Sequence, residues 1–533
     1  MSVRILSAAV LLSLACGSSK QRPDGSLIDA AGFAGSSGPT GSAGAGGAGG
    51  AAGSASVLER NGNPSRDGHF AQPTLSRAKA ATLALEPNFA PTFNGDMWAS
   101  PLFMENGPGG KGVFFVVTTT NDVYAFDELT GAMVWTKNVG TPAMMNGPNA
   151  PCGSIHPLGI IATPVIDADA RTIFLSAAVG NDTQILRQEV HALSVDDGQE
   201  RPGWPVDVST KFGFDPQPQN PRSALSFVYD IVYVAYGGHV GDCGGYRGRV
   251  IAIDSKNPSN AAMWVTGGLG EAVWAPGGMP SDGNGVIAVT GNRHMESGPH
   301  ADSEQVTRVT GMAVVTRDAD NTFYPANWQM MDDMDLDLGC SNAVLIDVPG
   351  ATPSKLVVIT SKDGHFYLLD SQHFGGMAGQ VADFVVAASG MSIRSAPTAY
   401  TTANGVHVAF NVIAGSMNCP SGVAGGPMVL SVLVGAAAPP APALAWCAPI
   451  TGAGSPITTT TDGTHEPIVW YMTATSTTTG AQSTLMGVDG DTGQAVYTGT
   501  EPCGVMQKWT SPIAVRGRIV VGATGRLCAY SAR

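Results

Sequence analysis

The chain has 533 residues, of which 13% are charged, with 69 glycines, 36 prolines and a formal net charge of −14. This composition is typical of an exported all-β protein. The acidic balance, without a basic run, excludes the phosphate-neutralising surface that nucleic-acid binding requires, and it gives no attraction to an anionic membrane. No stretch of about 18 apolar residues occurs beyond the N-terminus, so no transmembrane helix is expected.

The first 58 residues are predicted to be a targeting signal followed by a tether. A basic residue, the apolar run 5–15 and small residues before Cys16 resemble a bacterial lipoprotein signal (1–15), with Cys16 as the lipidated N-terminus. An ordinary signal peptide cleaved just before Cys16 is the alternative. Residues 16–58, rich in Gly, Ala and Ser, are expected to be a flexible tether, which leaves 59–533 as a single folded domain.

The folded part is dominated by a repeat of roughly 60 residues. Its clearest copy is Asn121–Trp135 (NDVYAFDELTGAMVW), in which Val123–Phe126 is apolar on both faces of a strand and Asp127, Thr130 and Gly131 supply a turn. Each repeat offers about four strand candidates, so the sequence predicts an eight-bladed β-propeller with four-stranded antiparallel blades. The repeats open on small residues: Ser100, Thr163, Ser223, Ala275, Ser341, Ser395, Ser455 and Ser511.

The last repeat, from Ser511 to Ser531, has only three strand candidates. A blade cannot bury both faces alone, so the array must close on itself or be capped. The segment Asn88–Phe93 precedes the first repeat and has no blade of its own. We expect it to supply the missing strand and to close the ring, with both termini in one blade.

Seven cysteines remain after Cys16, and in an exported chain they favour disulfides. In a propeller, the loop before a blade's first strand and the loop between its second and third strands lie on one face, which predicts a Cys152–Cys243 bridge between neighbouring blades. A Cys419–Cys447 bridge is expected within the sixth blade. Three cysteines are left without an assigned partner: Cys340, Cys503 and Cys528. They cannot all pair with one another, so at least one free or buried thiol is expected, with a catalytic cysteine as the alternative.

The repeat of the type Val123–Trp135 (VYAFDELTGAMVW) resembles the blade signature of the quinoprotein propellers. The likeness covers roughly residues 66–533. The order of five further motifs is similar to that of bacterial secreted "PQQ-like repeat" proteins of unassigned function, where PQQ is pyrroloquinoline quinone. These motifs are RDG at 66–68, CG at 152–153, GGHVGDCGGYRGRV at 237–250, DLDLG at 335–339 and SKDGHFYLLD at 361–370.

The resemblance implies an eight-bladed ring but not an activity. The dehydrogenases of this family hold PQQ in the centre of the ring against a vicinal Cys-Cys ring and a tryptophan floor, with a calcium ion held by Glu, Asn and Asp. This chain has no Cys-Cys pair. The same signature occurs in non-enzymatic relatives, such as the outer-membrane assembly lipoprotein of the barrel-insertion machinery, because it builds the scaffold.

Propellers bind ligands around the mouth of the central channel, where residues before the innermost strands should lie. Tryptophan faces and guanidinium groups together suit a flat, anionic or sugar-like ligand. The alternative is that the tryptophans fill the channel and the arginines pair with neighbouring acids. The candidate ligand-binding residues are Trp98, Arg222, His239, Tyr246, Arg247, Trp274, Arg394, Lys508 and Trp509.

Asp333, Asp335 and Asp337 alternate along one segment. On an extended chain they would face one way and repel one another unless a cation joined them, which makes them candidate Ca²⁺ ligands. An ordinary exposed strand is the alternative, because the spacing does not match an EF-hand loop.

Two classes of function remain open. The first is an extracytoplasmic, lipid-anchored, monomeric propeller without a cofactor, which binds a protein or polysaccharide at the cell envelope on either side of the outer membrane, or as a secreted protein. The second is a periplasmic alcohol or sugar dehydrogenase that depends on PQQ and Ca²⁺, with Asp337 as the catalytic base. Propellers also host hydrolases and lyases.

Overall fold

The computed structural model describes residues 55–145, 152–293, 296–390, 393–413, 425–449, 452–473 and 482–533, and six further residues, at 415–416, 418–420 and 422. The predicted signal peptide, the lipidated Cys16 and most of the predicted tether lie outside these residues. Positions 55–58, assigned to the tether from composition, instead belong to the folded domain, because Val57 pairs with Phe103. Within the described chain, no helix has the length and apolar character needed to cross a membrane.

Eight small sheets form the blades of a β-propeller, which confirms the predicted fold. Blade 1 contains Leu102–Met104, Val113–Val117, Asp122–Asp127 and Met133–Asn138. Blade 2 contains Val165–Asp167, Thr172–Gly180, Ile185–Ser194 and Val206–Asp207. Blade 3 contains Gln219–Asn220, Ser226–Val228, Ile231–Gly238, Arg249–Asp254 and Ala261–Val265. Blade 4 contains Val286–Val289, Val306–Thr310, Val314–Val315, Thr322–Tyr324 and Gly376–Met377.

The second half of the ring follows the same plan. Blade 5 contains Val344–Asp347, Lys355–Thr360, His365–Asp370 and Ala382–Val385. Blade 6 contains Thr398–Thr402, Gly405–Val412, Met428–Gly435 and Ala441–Ala448. Blade 7 contains Gly452–Thr460, Ile468–Thr473, Ser483–Asp489 and Ala495–Gly504, and the strand His69–Ala71 joins it in parallel. Blade 8 contains Ile513–Val515, Arg518–Ala523, Arg526–Ala532 and the early strand Leu83–Leu85.

The helices are short and connect blades. The α-helices are Arg77–Ala80, Val208–Phe212 and Trp328–Met334, and the 3₁₀ turns are Pro108–Gly110 and Leu338–Cys340.

The blades stack because their central strands are apolar on both faces. All five residues of Val113–Val117 and all nine of Thr172–Gly180 are buried. A strand that is covered on both sides reads as a continuous apolar run rather than an alternating one. The core is therefore divided among the gaps between neighbouring blades.

Blade 4 departs from the predicted plan at its inner edge. No regular strand begins at Ala275, because the segment that follows contains two prolines and two glycines, and proline cannot donate to a ladder. The segment still lies against the next strand, since Ile287 N–H donates to the Pro280 carbonyl at 2.9 Å.

The ring closes through an N-terminal strand, as predicted, but a different segment supplies it. Leu83–Leu85 pairs antiparallel with Arg526–Ala532. The segment predicted for this role, Asn88–Phe93, contributes only a bridge between Thr92 and Arg526.

Residues 57–72 form what we call the N-terminal plug. Its backbone makes hydrogen bonds to the inner edges of blades 1, 2, 4, 5, 6 and 7. Two side chains reach the other blades: Arg66 donates to the Leu225 carbonyl of blade 3, and Gln72 donates to the Ala514 carbonyl of blade 8. The backbone partners are Phe103, Ile166, Ser281, Leu345, Ala399 and Thr458. One end of the channel is thus crossed by a segment that is bonded to every blade.

Arg60 extends from the plug into the axis and is only 1% exposed. Its guanidinium donates to Ser100 Oγ at 2.6 Å and to Ser455 Oγ at 3.0 Å, and Ser100 Oγ lies 2.9 Å from Ser511 Oγ. Burial lowers the pKa of Arg60 to about 9. Three of the residues that open the repeats, Ser100, Ser455 and Ser511, therefore surround the Arg60 guanidinium with hydroxyl groups.

Both predicted disulfides, Cys152–Cys243 and Cys419–Cys447, are confirmed. A third, Cys503–Cys528, joins blade 7 to blade 8. None of the cysteines in the described residues is free, so the expectation of a free thiol is wrong for this part of the chain.

Candidate functional site

The inner strands run from the channel mouth toward the plug. Residues just before these strands, and the loops between second and third strands, therefore lie at the mouth. The residues that open the repeats lie beneath the mouth. The plug bonds most inner edges about three residues after these openings, which places it roughly 10 Å deeper in the channel.

An arginine is sandwiched between two tryptophans at the mouth. The Arg222 guanidinium lies 4.6 Å from the ring centre of Trp274 and 4.4 Å from that of Trp509. Trp98 packs against Trp509 at 4.8 Å between centroids, and Lys508 Nζ lies 5.0 Å from the Trp509 ring. Arg222 is 1% exposed and Trp274 is 0% exposed. The cation covers the aromatic faces, an arrangement that stabilises a buried guanidinium.

Sequence reasoning did not select Lys362, which occupies the centre of an acidic group. Its ammonium pairs with Asp335 at 2.8 Å and with Asp337. Asp337 also accepts from the backbone N–H of Asn292 at 2.9 Å. The side chains of Lys362 and Asp337 are fully buried. Burial lowers the pKa of Lys362, but the two carboxylates outweigh it and raise that pKa above its usual value, so the ammonium stays charged.

The position of Lys362 could have been predicted in the same way as that of Cys243, because loops between the second and third strands of a blade lie at the mouth. Lys362 lies in the turn Ser361–Gly364, between the second and third strands of blade 5. Asp242 occupies the equivalent loop of blade 3 and was missed for the same reason.

Two predicted residues of blade 3 are held by internal hydrogen bonds. The Tyr246 hydroxyl donates to Asp242 at 2.8 Å, and His239 Nε2 lies 3.0 Å from the Gln217 carbonyl. Burial, reinforced by the charge of Asp337, raises the pKa of Asp242 to about 7. Burial lowers the pKa of His239 to about 4, so this imidazole is neutral at pH 7.

Lys508 and Arg222 both lie against the ring of Trp509, with the ammonium at 5.0 Å and the guanidinium at 4.4 Å from its centre. Burial, together with the charges of Arg222 and Arg394, lowers the pKa of Lys508 to about 8. Burial also lowers the pKa of Arg394 to about 10, although Asp335 and Asp337 oppose this shift. Lys508 and Arg394 are only partly buried, so both reach solvent.

Arg247, the remaining predicted residue, is directed toward the rim between blades 3 and 4. Its guanidinium donates to the Thr266 carbonyl at 3.2 Å and lies 3.7 Å from Glu296. It is therefore separate from Lys508, Arg222 and Arg394.

The predicted calcium site is not formed. Asp333 lies in the helix Trp328–Met334, and Asp335 ends that helix in the left-handed conformation with φ 56°, so the segment is not extended. Only Asp335 and Asp337 come together, around Lys362. Nowhere in the described ranges do three His, Cys, Asp or Glu side chains form a group that could hold a metal ion.

The residues at the mouth do not fit PQQ with Ca²⁺. Ca²⁺ takes six to eight oxygen ligands, whereas the carboxylate pair here already surrounds an ammonium. A planar quinone needs an open aromatic face, whereas Arg222 covers both Trp274 and Trp509.

No known protein-family model matches the chain, and no curated protein sequence matches it. Solved structures match over most of its length. Quinohemoprotein alcohol dehydrogenase ADHIIG from Pseudomonas putida HK5 is 12% identical, with a TM-score of 0.61 over 90% of this chain and 80% of that chain. The quinohemoprotein alcohol dehydrogenase from Comamonas testosteroni is 15% identical, with a TM-score of 0.55 over 89% and 80%. A europium-containing methanol dehydrogenase is 14% identical, with a TM-score of 0.56 over 90% and 98%.

Identities this low carry information about fold alone. The chain therefore has the eight-bladed propeller fold of the quinoprotein dehydrogenases, as its repeat signature predicted.

Proposed function

We propose that the protein is a binding module of the bacterial cell envelope, held by lipidated Cys16 on a flexible tether, that acts as a monomer. The channel mouth would receive a protein or polysaccharide ligand that carries carboxylate groups. The observation that carries this proposal is the placement of Lys508 and Arg222 against the same ring, Trp509, with the partly exposed Arg394 acting on Lys508 by its charge, in a chain whose net charge is −14. Arginine and lysine at a partly desolvated mouth bind carboxylates through charge-assisted hydrogen bonds.

The roles divide between a rigid floor and an accessible rim. Arg222 is fixed by Trp274 and Trp509 and supplies a permanent positive potential from below. Lys508 and Arg394, which reach solvent, would make the direct contacts with the ligand. Since the aromatic faces are covered, recognition at the mouth would depend on charge more than on stacking.

The test uses the whole protein and two acidic polymers, poly-L-glutamate and polygalacturonate. Trp98 and Trp509 lie at the mouth, so binding should change tryptophan fluorescence saturably, and raising the salt concentration should weaken it. K508Q and R394Q should each weaken binding at least about tenfold, which corresponds to a lost charged hydrogen bond. K79Q is the matched control. Lys79 is exposed and lies in the helix Arg77–Ala80 rather than in a mouth loop, so this variant should bind as the unchanged protein does.

Pyrroloquinoline quinone, with and without Ca²⁺, tests the alternative dehydrogenase. Saturable, Ca²⁺-dependent quenching near one equivalent would contradict the binding-module proposal. Binding of the acidic polymers that survives both K508Q and R394Q would contradict the role given to the mouth.

A further inference from the structure

A cavity opens beside blade 4, and we call it the blade 4 cleft. It lies between Arg293 and residues 296–298 on one side and the helix Trp328–Met334 on the other. The cleft holds about 60 Å³ and is partly open to solvent, so a ligand ring would rest against its walls rather than be enclosed. It adjoins the mouth because Asn292, the neighbour of the cleft residue Arg293, bonds Asp337.

A nearly buried arginine presents one nitrogen to this cleft. Arg293 is 8% exposed, and its Nε donates to Glu271 at 3.2 Å while its Nη2 donates to the Pro299 carbonyl at 2.9 Å. No described residue accepts from Nη1. Glu271 is fully buried and fixes the guanidinium in place, so Nη1 is a preorganised donor at the wall of the cleft.

An immobilised aromatic ring forms another wall. Trp328 is half-buried, and His300 packs edge-on against it at 4.9 Å and 75°. His300 is in turn stacked on Tyr324 at 3.7 Å and 12°. The indole is therefore held in one orientation, which is what stacking against a ligand requires.

The remaining wall supplies acceptors and one amide. Glu296, Asp332 and Asp333 carry carboxylates, of which Asp332 already accepts from the backbone N–H of Arg293 and the Ser303 hydroxyl, and Gln329 carries an exposed amide. Glu296 is anchored by the backbone N–H of Leu269 at 3.0 Å and keeps 31% of its side chain exposed. An anion would be repelled by the three carboxylates, and Trp328 offers an aromatic face that the C–H groups of a sugar ring can cover. A neutral ligand with several hydroxyl groups satisfies both kinds of wall.

We propose that the blade 4 cleft binds a neutral sugar unit of a polysaccharide. Trp328 stacks on the C–H face of the sugar ring, Arg293 and Gln329 donate to its oxygens, and Glu296 and Asp333 accept from its hydroxyls. This goes beyond the function proposed for the mouth, since the cleft lies off the axis and its ligand needs no carboxylate.

The experiment titrates the whole protein with cellotriose, galactotriose and mannotriose, using isothermal calorimetry. At least one trisaccharide should bind saturably below 10 mM, with a Kd on the order of 1 mM. W328A should weaken that binding at least about tenfold, as expected for a lost stacking contact. Q329A and D333N, at exposed positions, should each weaken it about threefold to tenfold without changing thermal stability.

M330A is the matched control, because Met330 lies on the same helix, is 43% exposed and does not line the cleft. K508Q and R394Q should leave trisaccharide binding unchanged, so a failure at the mouth and a failure at the cleft are distinguishable. The proposal is overturned if no trisaccharide binds at 10 mM, if binding is equal in W328A, Q329A and M330A, or if acetate binds at the cleft and competes with the sugar.

Discussion

Lys362 illustrates how one side chain can change the chemistry of a site. Two carboxylates that would otherwise require a bound cation are neutralised by an ammonium that belongs to the chain itself. Breaking a buried ion pair by removing one partner is strongly destabilising, because it leaves an uncompensated charge.

K362M should therefore lower the free energy of unfolding by about 3–5 kcal/mol. Urea denaturation followed by tryptophan fluorescence measures this loss. K355M is the control, since Lys355 is exposed on a neighbouring strand of the same blade. A loss below about 1 kcal/mol, the usual value for an exposed pair, would mean that the acidic group is solvated.

His191 should make part of the stability depend on pH. Its Nδ1 lies 2.9 Å from Glu200 and its Nε2 lies 3.6 Å from Glu189. Burial lowers the pKa of His191, but the two carboxylates outweigh it and raise that pKa above the ordinary 6.5. The charged pair therefore stabilises the folded state fully below pH 6.5, and this stabilisation is lost as the pH rises through the folded-state pKa.

H191Q should cost about 2 kcal/mol at pH 5.5, and the cost should shrink at pH 8.5. Urea midpoints of both proteins across this range measure the difference. A difference that stays constant, or one that grows with pH, would contradict the assigned charge state.

At the residue scale, sequence reasoning succeeded where position follows from the repeat. Trp98, Arg222 and Trp509 were selected because they precede inner strands, and they meet at the mouth. The acidic segment was misjudged because its geometry depends on a two-turn helix that ends at Met334, and no strong periodic signal marks so short an element. The pairing of carboxylates with Lys362 joins residues of different loops, which no local pattern reveals.

At the scale of elements, two disulfides offer a direct comparison. Cys503–Cys528 joins neighbouring blades and spans 25 residues, whereas Cys419–Cys447 lies within blade 6 and spans 28. Loop-closure entropy depends weakly on loop length, so this term is nearly equal for both.

Replacing each pair by alanine should therefore cost about 3 kcal/mol in either case. Equilibrium unfolding in guanidinium, with each double variant compared with the intact protein, tests the equality. A loss that is greater by more than about 2 kcal/mol for the pair joining blades 7 and 8 would show that this bridge also stabilises the ring closure, beyond loop entropy.

The strand pattern was predictable where the apolar runs are continuous, and it failed where backbone chemistry intervenes. The inner edge of blade 4 contains prolines that cannot donate to a ladder, so no regular strand forms there. The closing strand was placed too late in the chain because Leu83–Leu85 is only three residues long and carries no distinctive pattern.

At the scale of the whole molecule, the N-terminal plug binds all eight blades. A chain that begins at residue 73 lacks the plug, and with it the buried hydrogen bonds of Arg60 and Arg66. It should unfold at a temperature at least about 10 °C lower than a chain that begins at residue 54. Differential scanning calorimetry measures this change. R66M removes a fully buried guanidinium that bonds the Leu225 carbonyl, and it should lower the melting temperature by a smaller amount. Equal melting temperatures for these three proteins would contradict the role of the plug.

The plug meets the blades in nearly the order in which the chain is synthesised, from Phe103 in blade 1 to Ala514 in blade 8. The first residues of the domain to be synthesised therefore carry a docking surface for every blade that follows. Each blade can pack against the plug as it forms, whereas the strand Leu83–Leu85 stays unpaired until Arg526–Ala532 is available. A chain that stops early would leave this strand edge unpaired, and an unpaired edge can pair with other chains.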